Sequence, residues 1–425
     1  MSSQTFQKTF KMNEKDFIRN RKLTFNVTLL FIMNRLTKSI SIEIENFVNL
    51  LKNEFNFSSF KRFSKSAFVQ ARKKIKPEVF DELNSMLIDE FYSDNESGVM
   101  RWNGFRLLAV DGSIIALPNT KELRDVYGEH KNQNDTGNVQ ARVSVLYDVL
   151  NKYVLDSKLS PYEIGERRLA LSHLNKSSAK DLVIYDRGYP SYDFIHEHFK
   201  LNINFLIRAK SSFSNLTKEF ISSKKRSLIV NIYPGKNTPL ANKQYTKHTP
   251  IKVRLIRVDL PSGQVELLIT SLIDTNKYKT SIFKDLYFKR WKVETFYDEL
   301  KNKLKVEHFS GYSISSIQQD FNAAIFVSNI QTLIVSELVE EIYEKTKDRQ
   351  YEYKVNMSLS YGFLKDKVIS LFFSDQNMDT VIKKLKELFI QHLVPIRKNR
   401  KFPRDHKKYR SKVKPIVTKN QKDAW

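Results

Sequence analysis

Apolar residues recur at three- and four-residue spacing through residues 1–98, in FNVTLLFIMNRL, SIEIENFVNLLKNEF and PEVFDELNSMLIDEFY, with almost no Gly or Pro between them. That rhythm predicts helices. From Phe105 the texture changes. FRLLAVDGSIIAL, ARVSVLYDVLNKYVLDSKLS, DLVIYDRGY and INFLIRAK are dense in β-branched and apolar residues and predict strands. ERRLALSHLNK and YDFIHEHFK, lying between them, read as helices. Residues 211–275 alternate apolar and polar in RSLIVNIY and TPIKVRLIRVDLPSGQVELLITSLI, with a turn at Pro261-Ser262-Gly263. The helical rhythm returns in LYFKRWKVETFYDELKNKLKVEHFSG, from Leu286, and continues beyond Gly311 to a Lys/Arg-rich end after Leu393.

Strands, a helix, a strand and a helix, with acids at the polar ends of two apolar runs, suggest an α/β fold with a ribonuclease H-like core, which the sequence allows without requiring. The predicted organisation is a helical DNA-binding region at 1–98, the first part of the core at 99–210 and a β-rich insertion at 211–275. A core helix at 276–311 and a helical carboxy-terminal region with a basic tail at 312–425 complete it. No internal repeat is visible.

Composition narrows the partner. Lys and Arg number 72 against 47 Asp and Glu, a formal charge of +25, which favours a polyanion. The run SSFKRFSKSAFVQARKKIKP, beside predicted helices, is read as contacting DNA rather than as a merely solvated face. With 41% hydrophobic residues, 30 Phe and 19 Tyr, the chain can bury a sizeable core. Cysteine is absent, which excludes disulfides, zinc ribbons and thiol catalysis. The amino terminus lacks a signal-peptide core, and the apolar runs are too short or too interrupted to span a bilayer. A cytoplasmic protein is the expectation.

Three carboxylates carry the candidate chemistry. Asp111 ends RLLAV and Asp186 ends DLVIY, as a strand end places chemistry in an open sheet. Glu294 shares a predicted helix with Tyr287, Arg290 and Lys301; at about 100° per residue the four fall within roughly 60° of one face. Hard carboxylate oxygens suit magnesium or manganese, and a pair of such ions activates one oxygen at phosphorus while stabilising the other. Singly, each piece has a bland reading: Asp-Gly is a common turn, Asp-Arg an internal ion pair, and Arg290 with Glu294 ordinary helix pairing.

The combination resembles a known signature. VDGS, YDRGY and the spacing Y-x2-R-x3-E-x6-K from Tyr287 to Lys301 are similar to the DDE transposases of the bacterial insertion-sequence-four family. The resemblance implies a ribonuclease H-like domain interrupted by a β-strand insertion, in which Asp111, Asp186 and Glu294 hold two divalent metals, Mg2+ or Mn2+. It implies cutting at terminal inverted repeats of double-stranded DNA, joining of the 3′-hydroxyls to a target, and action as a homodimer, with no membrane partner. Tyr287, Arg290 and Lys301 would contact phosphates near the cleaved end. Arg187 is a secondary candidate, for Asp186 or for DNA. The alternative is a DNA-binding protein of transposase ancestry that no longer cuts.

Some relatives capture a flipped base with a tryptophan in the insertion. Here the tryptophans are Trp102, Trp291 and Trp425, which leaves Tyr233, Tyr245 or Tyr278 to stack. His196 and His198 fall on different helix faces and are expected to be polar surface. Tyr287, Trp291 and Tyr297 are expected to be partly core. No GxxxxGK[ST] occurs, so nothing supports ATP hydrolysis.

Overall fold

In the computed structural model the described residues are 3–19, 22–34, 38–55, 60–94, 98–130, 137–236, 238, 240–241, 243–373 and 378–397. The basic tail after residue 397 lies outside them. The chain divides into two compact units: residues 1–87, 115–141 and 298–425 form the first, and residues 88–114 and 142–297 the second. The amino- and carboxy-terminal helical regions fall in the same unit.

That first unit is built around helix Phe25–Met33, which is buried on nearly every side. Phe31 meets Phe47, Phe63 and Phe68 edge-on, with ring centroids 5.0, 5.4 and 4.7 Å away. Such edge-to-face pairs contribute beyond their buried area. Residues from both ends of the chain close the core, where Leu29 and Phe47 join Ala323, Phe326, Leu364, Val368 and Leu385. Helix starts are capped: Thr24 accepts from Val27 N, Ser64 from Ala67 N, and Ser313 and Ser316 form a capping box on Ile314–Ser336. A short antiparallel pair joins Tyr353–Val355 to Leu393–Pro395, and helix Met357–Phe373 lies between them in the chain.

Arg72 ties the unit together. It is 3% exposed and donates to Gln319 Oε1 (2.9 Å), Ser310 Oγ (2.6 Å), Ser316 O (3.1 Å) and Asp320 Oδ1 (2.9 Å). A buried guanidinium is tolerated only when its donors are satisfied in this way.

The chain also forms a nine-stranded sheet, with β4 to β9 wholly in the second unit: β1 (Arg106–Ala116), β2 (Glu129–His130), β3 (Asn138–Asp148), β4 (Val154–Pro161), β5 (Asp181–Tyr185), β6 (Asn204–Ala209), β7 (Ser227–Ile232), β8 (Ile251–Asp259) and β9 (Val265–Thr270). Its order is β2-β3-β1-β5-β6-β9-β8-β7, with β4 paired to β3. β1, β5 and β6 run parallel, from Arg106 opposite Asp181 to Ala109 opposite Ile184, and from Leu182 opposite Asn204 to Tyr185 opposite Ile207. Leaving out the two-residue β2, the first five strands stand in the order third, second, first, fourth, fifth, the ribonuclease H-like arrangement.

The β-rich segment does not form a sheet of its own. β9 pairs antiparallel with β6, and β8 and β7 follow, so the segment extends the core sheet. The β8–β9 turn is the expected one, with Gly263 at φ 79°, a conformation that favours glycine. Among the described residues no single helix is long and apolar enough to cross a membrane.

Candidate active site

β5 is buried at all five positions, and Asp186 follows it directly, in a turn closed by Tyr189 N donating to Asp186 O at 3.2 Å. Asp111 departs from expectation. β1 continues through it to Ala116, so it does not end its strand; what ends is the pairing with β5, at Ala109. Freed from that partner, the Asp111 carboxylate is 20% exposed and accepts from Gly112 N at 2.9 Å.

The predicted single helix is also corrected. The signature spans Ile282–Phe288, a tight turn with Lys289 N to Leu286 O and Arg290 N to Tyr287 O, helix Trp291–Asp298, and then a π-turn at Glu299–Lys303 that carries Lys301. Four residues on one unbroken stripe is therefore not the arrangement. The break aims Arg290 inward: it is 4% exposed, with Nη2 on Glu294 Oε1 at 2.7 Å and Nη1 near Asp111 Oδ2 at 3.4 Å. Tyr287, equally buried, donates to Asp186 Oδ1 at 3.1 Å, and Tyr297 donates to the Asp111 carbonyl at 2.8 Å. All three acids are thus reached from Tyr287 on the first helix and Arg290 in the turn that follows it.

Burial pushes the Asp111 carboxyl up to about 6; Glu294 and Glu166 push the same way, while Arg290 and the Gly112 N–H act against them. Burial raises the Tyr287 hydroxyl well above its ordinary value, so it stays a donor to Asp186. Arg290 Nε has no partner although it is buried. Among the described residues no group of three or more His, Cys, Asp or Glu stands ready to hold a metal ion; the Arg290 guanidinium bridges Asp111 and Glu294 as an internal counter-cation.

Residues 102–330 match the family model described as "Transposase DDE domain". The chain belongs to the DDE transposase family. Transposase InsG for insertion sequence element IS4, from Escherichia coli (strain K12), is 22% identical over 253 residues, covering 56% of this chain and 53% of that protein. The chain thus spans about half the length of the curated relative it matches. A cryo-EM structure of a piggyBac transposase synaptic complex with hairpin DNA is 8% identical, with a TM-score of 0.41, over 89% of this chain and 79% of that one.

Other signature residues of this DDE family member take varied settings. Arg187 is exposed. Trp291 is 47% exposed, whereas Tyr287 and Tyr297 are buried, so two of the three aromatics are core. Among the tyrosines expected to stack on a base, Tyr245 is buried and bonded to Asp193, and Tyr278, just past the β-rich segment, is buried and stacked on Trp102. Tyr233 is 53% exposed and lines a cavity of about 480 Å³ with Pro190, Tyr192, Phe213 and Lys236.

His198 is not surface. It is fully buried between Tyr185 Oη and Phe194 O, each at 2.8 Å, and burial lowers it to about 4, so it is a neutral core residue. Sequence reasoning also missed Glu166, which packs on Gly112. An acid at a helix start is so common that no local signal distinguishes it.

Proposed function

We propose that this protein is a transposase of an insertion sequence: it binds the terminal inverted repeats, cleaves DNA there with divalent metal, and joins the freed ends to a target. Family membership supports the reaction class, and the observation that carries the reading further is Arg290 lying between two of the three signature carboxylates. Asp111, Asp186 and Glu294 offer only hard oxygens, the donor type magnesium and manganese prefer, and their charge already draws a cation. They are the residues that would hold two Mg2+ or Mn2+ ions. When bound, the ions would supply Lewis acidity toward the phosphate and its attacking and leaving oxygens.

The chain's own groups do the rest. With ions holding Asp111 and Glu294, Arg290 would be free to present its planar fork and unpartnered Nε to a phosphate. Tyr287 keeps Asp186 oriented. Lys301 adds a point charge for a neighbouring phosphate, and Arg187 an exposed one beside Asp186. Tyr233 offers a stacking face for an unpaired base, with Lys236 for its phosphate.

Within the amino-terminal region, a cleft of about 1200 Å³ is lined by Lys15, Arg19, Lys22, Arg62, Lys65 and Lys74, which supports phosphate-backbone binding by residues 1–98. Some of that charge is committed, since Lys74 pairs with Asp16 and Arg62 with Glu45. Pairing of two ends calls for a homodimer on cytoplasmic DNA.

The test is cleavage of linear DNA carrying the element's ends, with magnesium, with EDTA, and with Asp111→Asn, Asp186→Asn or Glu294→Gln. Metal-dependent nicking at the ends, lost in each variant while DNA binding persists, is the expected result. Tight binding without cutting in magnesium or manganese would favour the non-cutting DNA-binding protein instead.

A further inference from the structure

Glu166 opens helix Glu166–Ser172, and its side chain lies against the residue that follows Asp111. A Cβ built on Gly112 would stand 3.0 Å from both Cγ and Cδ of Glu166. Gly112 does not have a positive φ, so its glycine serves space rather than conformation. An alanine there would push Glu166 aside. The next residue, Arg167, donates from Nε to the carbonyl of Gly188 at 3.0 Å, in the turn that carries Asp186. Two successive residues of one helix start thus lie against the residue after Asp111 and the turn that carries Asp186.

A second observation is independent of the acids. Tyr189 is 1% exposed, and its hydroxyl has no hydrogen-bond partner. Tyr189 follows Asp186 by three residues, in the turn that its own N–H closes on the Asp186 carbonyl, and the carboxylates of Asp111, Glu166 and Asp186 act on its hydroxyl electrostatically. A buried hydroxyl left unpaired is costly and calls for an explanation. Glu166 itself remains reachable: its side chain is 43% exposed and is held by Arg142 Nη1 at 2.7 Å.

We propose that Glu166 is a fourth carboxylate of the divalent-metal centre, with the Tyr189 hydroxyl donating to the carboxylate oxygens around it. The inference rests on the reading of Asp111, Asp186 and Glu294 as the metal site. Without an ion, Arg142 neutralises Glu166 as Arg290 neutralises Asp111 and Glu294. A divalent ion replaces both counter-cations.

The experiment is Mn2+ binding to the full chain without DNA, followed by the paramagnetic resonance signal of free Mn2+, for wild type, Glu166→Gln, Arg142→Gln and Asp111→Asn. Glu166→Gln should weaken binding by about tenfold or more, at least the loss seen when a residue that only supports a metal's ligands is changed. Arg142→Gln should tighten it, because a competing cation is gone. A purely structural ion pair would give the two variants the same sign, and equal weakening in both overturns the proposal. Wild-type affinity in Glu166→Gln, with binding lost in Asp111→Asn, overturns it while leaving the three-acid reading intact. Wild-type affinity in Asp111→Asn as well would overturn both.

Discussion

A proton and a divalent ion compete for Asp111. Its carboxyl is raised from 3.8 to about 6 by burial, so it is half protonated near pH 6 rather than fully ionised. Metal affinity scales with the ionised fraction, so lowering the pH should weaken Mn2+ binding by about 1.1-fold at pH 7, about 2-fold at pH 6 and about 11-fold at pH 5. At its ordinary value the same group would change affinity by less than about 1.1-fold at pH 5. Calorimetric titration of the metal-free protein with Mn2+ at these three pH values separates the cases. Affinity that stays flat from pH 7 to pH 5 would refute the argument. Stability carries the opposite sign. Between about pH 4 and about pH 6 the folded protein keeps a proton that the unfolded chain has lost, so metal-free stability falls as pH rises through that window, by about 3 kcal/mol in all. Asp111→Asn should remove this dependence, which urea unfolding of both proteins in EDTA would show.

Arg72→Ala should cost about 3–5 kcal/mol, because it leaves Asp320 buried without its cation. A loss under about 1 kcal/mol in urea unfolding would mean the network relaxes. In the double variant Arg72→Met with Asp320→Leu much of that loss should return. Tyr233→Ala should change stability by no more than about 0.5 kcal/mol, since the ring is half exposed, yet weaken binding of DNA with an unpaired end base by about 1–3 kcal/mol. Equal binding in a fluorescence titration would remove Tyr233 from the site. Arg19→Ala with Lys65→Ala should lower the salt dependence of DNA binding by about one unit of log slope for each phosphate that is no longer neutralised. An unchanged slope would place the backbone-binding surface elsewhere.

The signature acids and most of the elements could be read from the chain because they rest on local pattern. DLVIY reads as a strand buried on both faces, and all five residues are buried. The Pro261-Ser262-Gly263 turn and the capped helices carry their signals within a few residues. What escaped depends on partners far along the chain. No Gly or Pro marks the break between Phe288 and Trp291. Arg290 points inward there toward Asp111, 179 positions away, and a charged cluster is not visible to periodicity. β9 joins β6 from well beyond it in the chain, so the β-rich segment becomes part of the core sheet. His198 looks polar until Tyr185 supplies the partner that lets it be buried. Glu166 meets Gly112 only because helix and strand pack together. The sequence by itself determined which residues could form strands and helices, because those are short-range preferences, and it pointed to Asp111, Asp186 and Glu294 only through their likeness to a family signature. Only the tertiary structure decided which charges face one another, since burial and pairing depend on atoms that chain order leaves far apart.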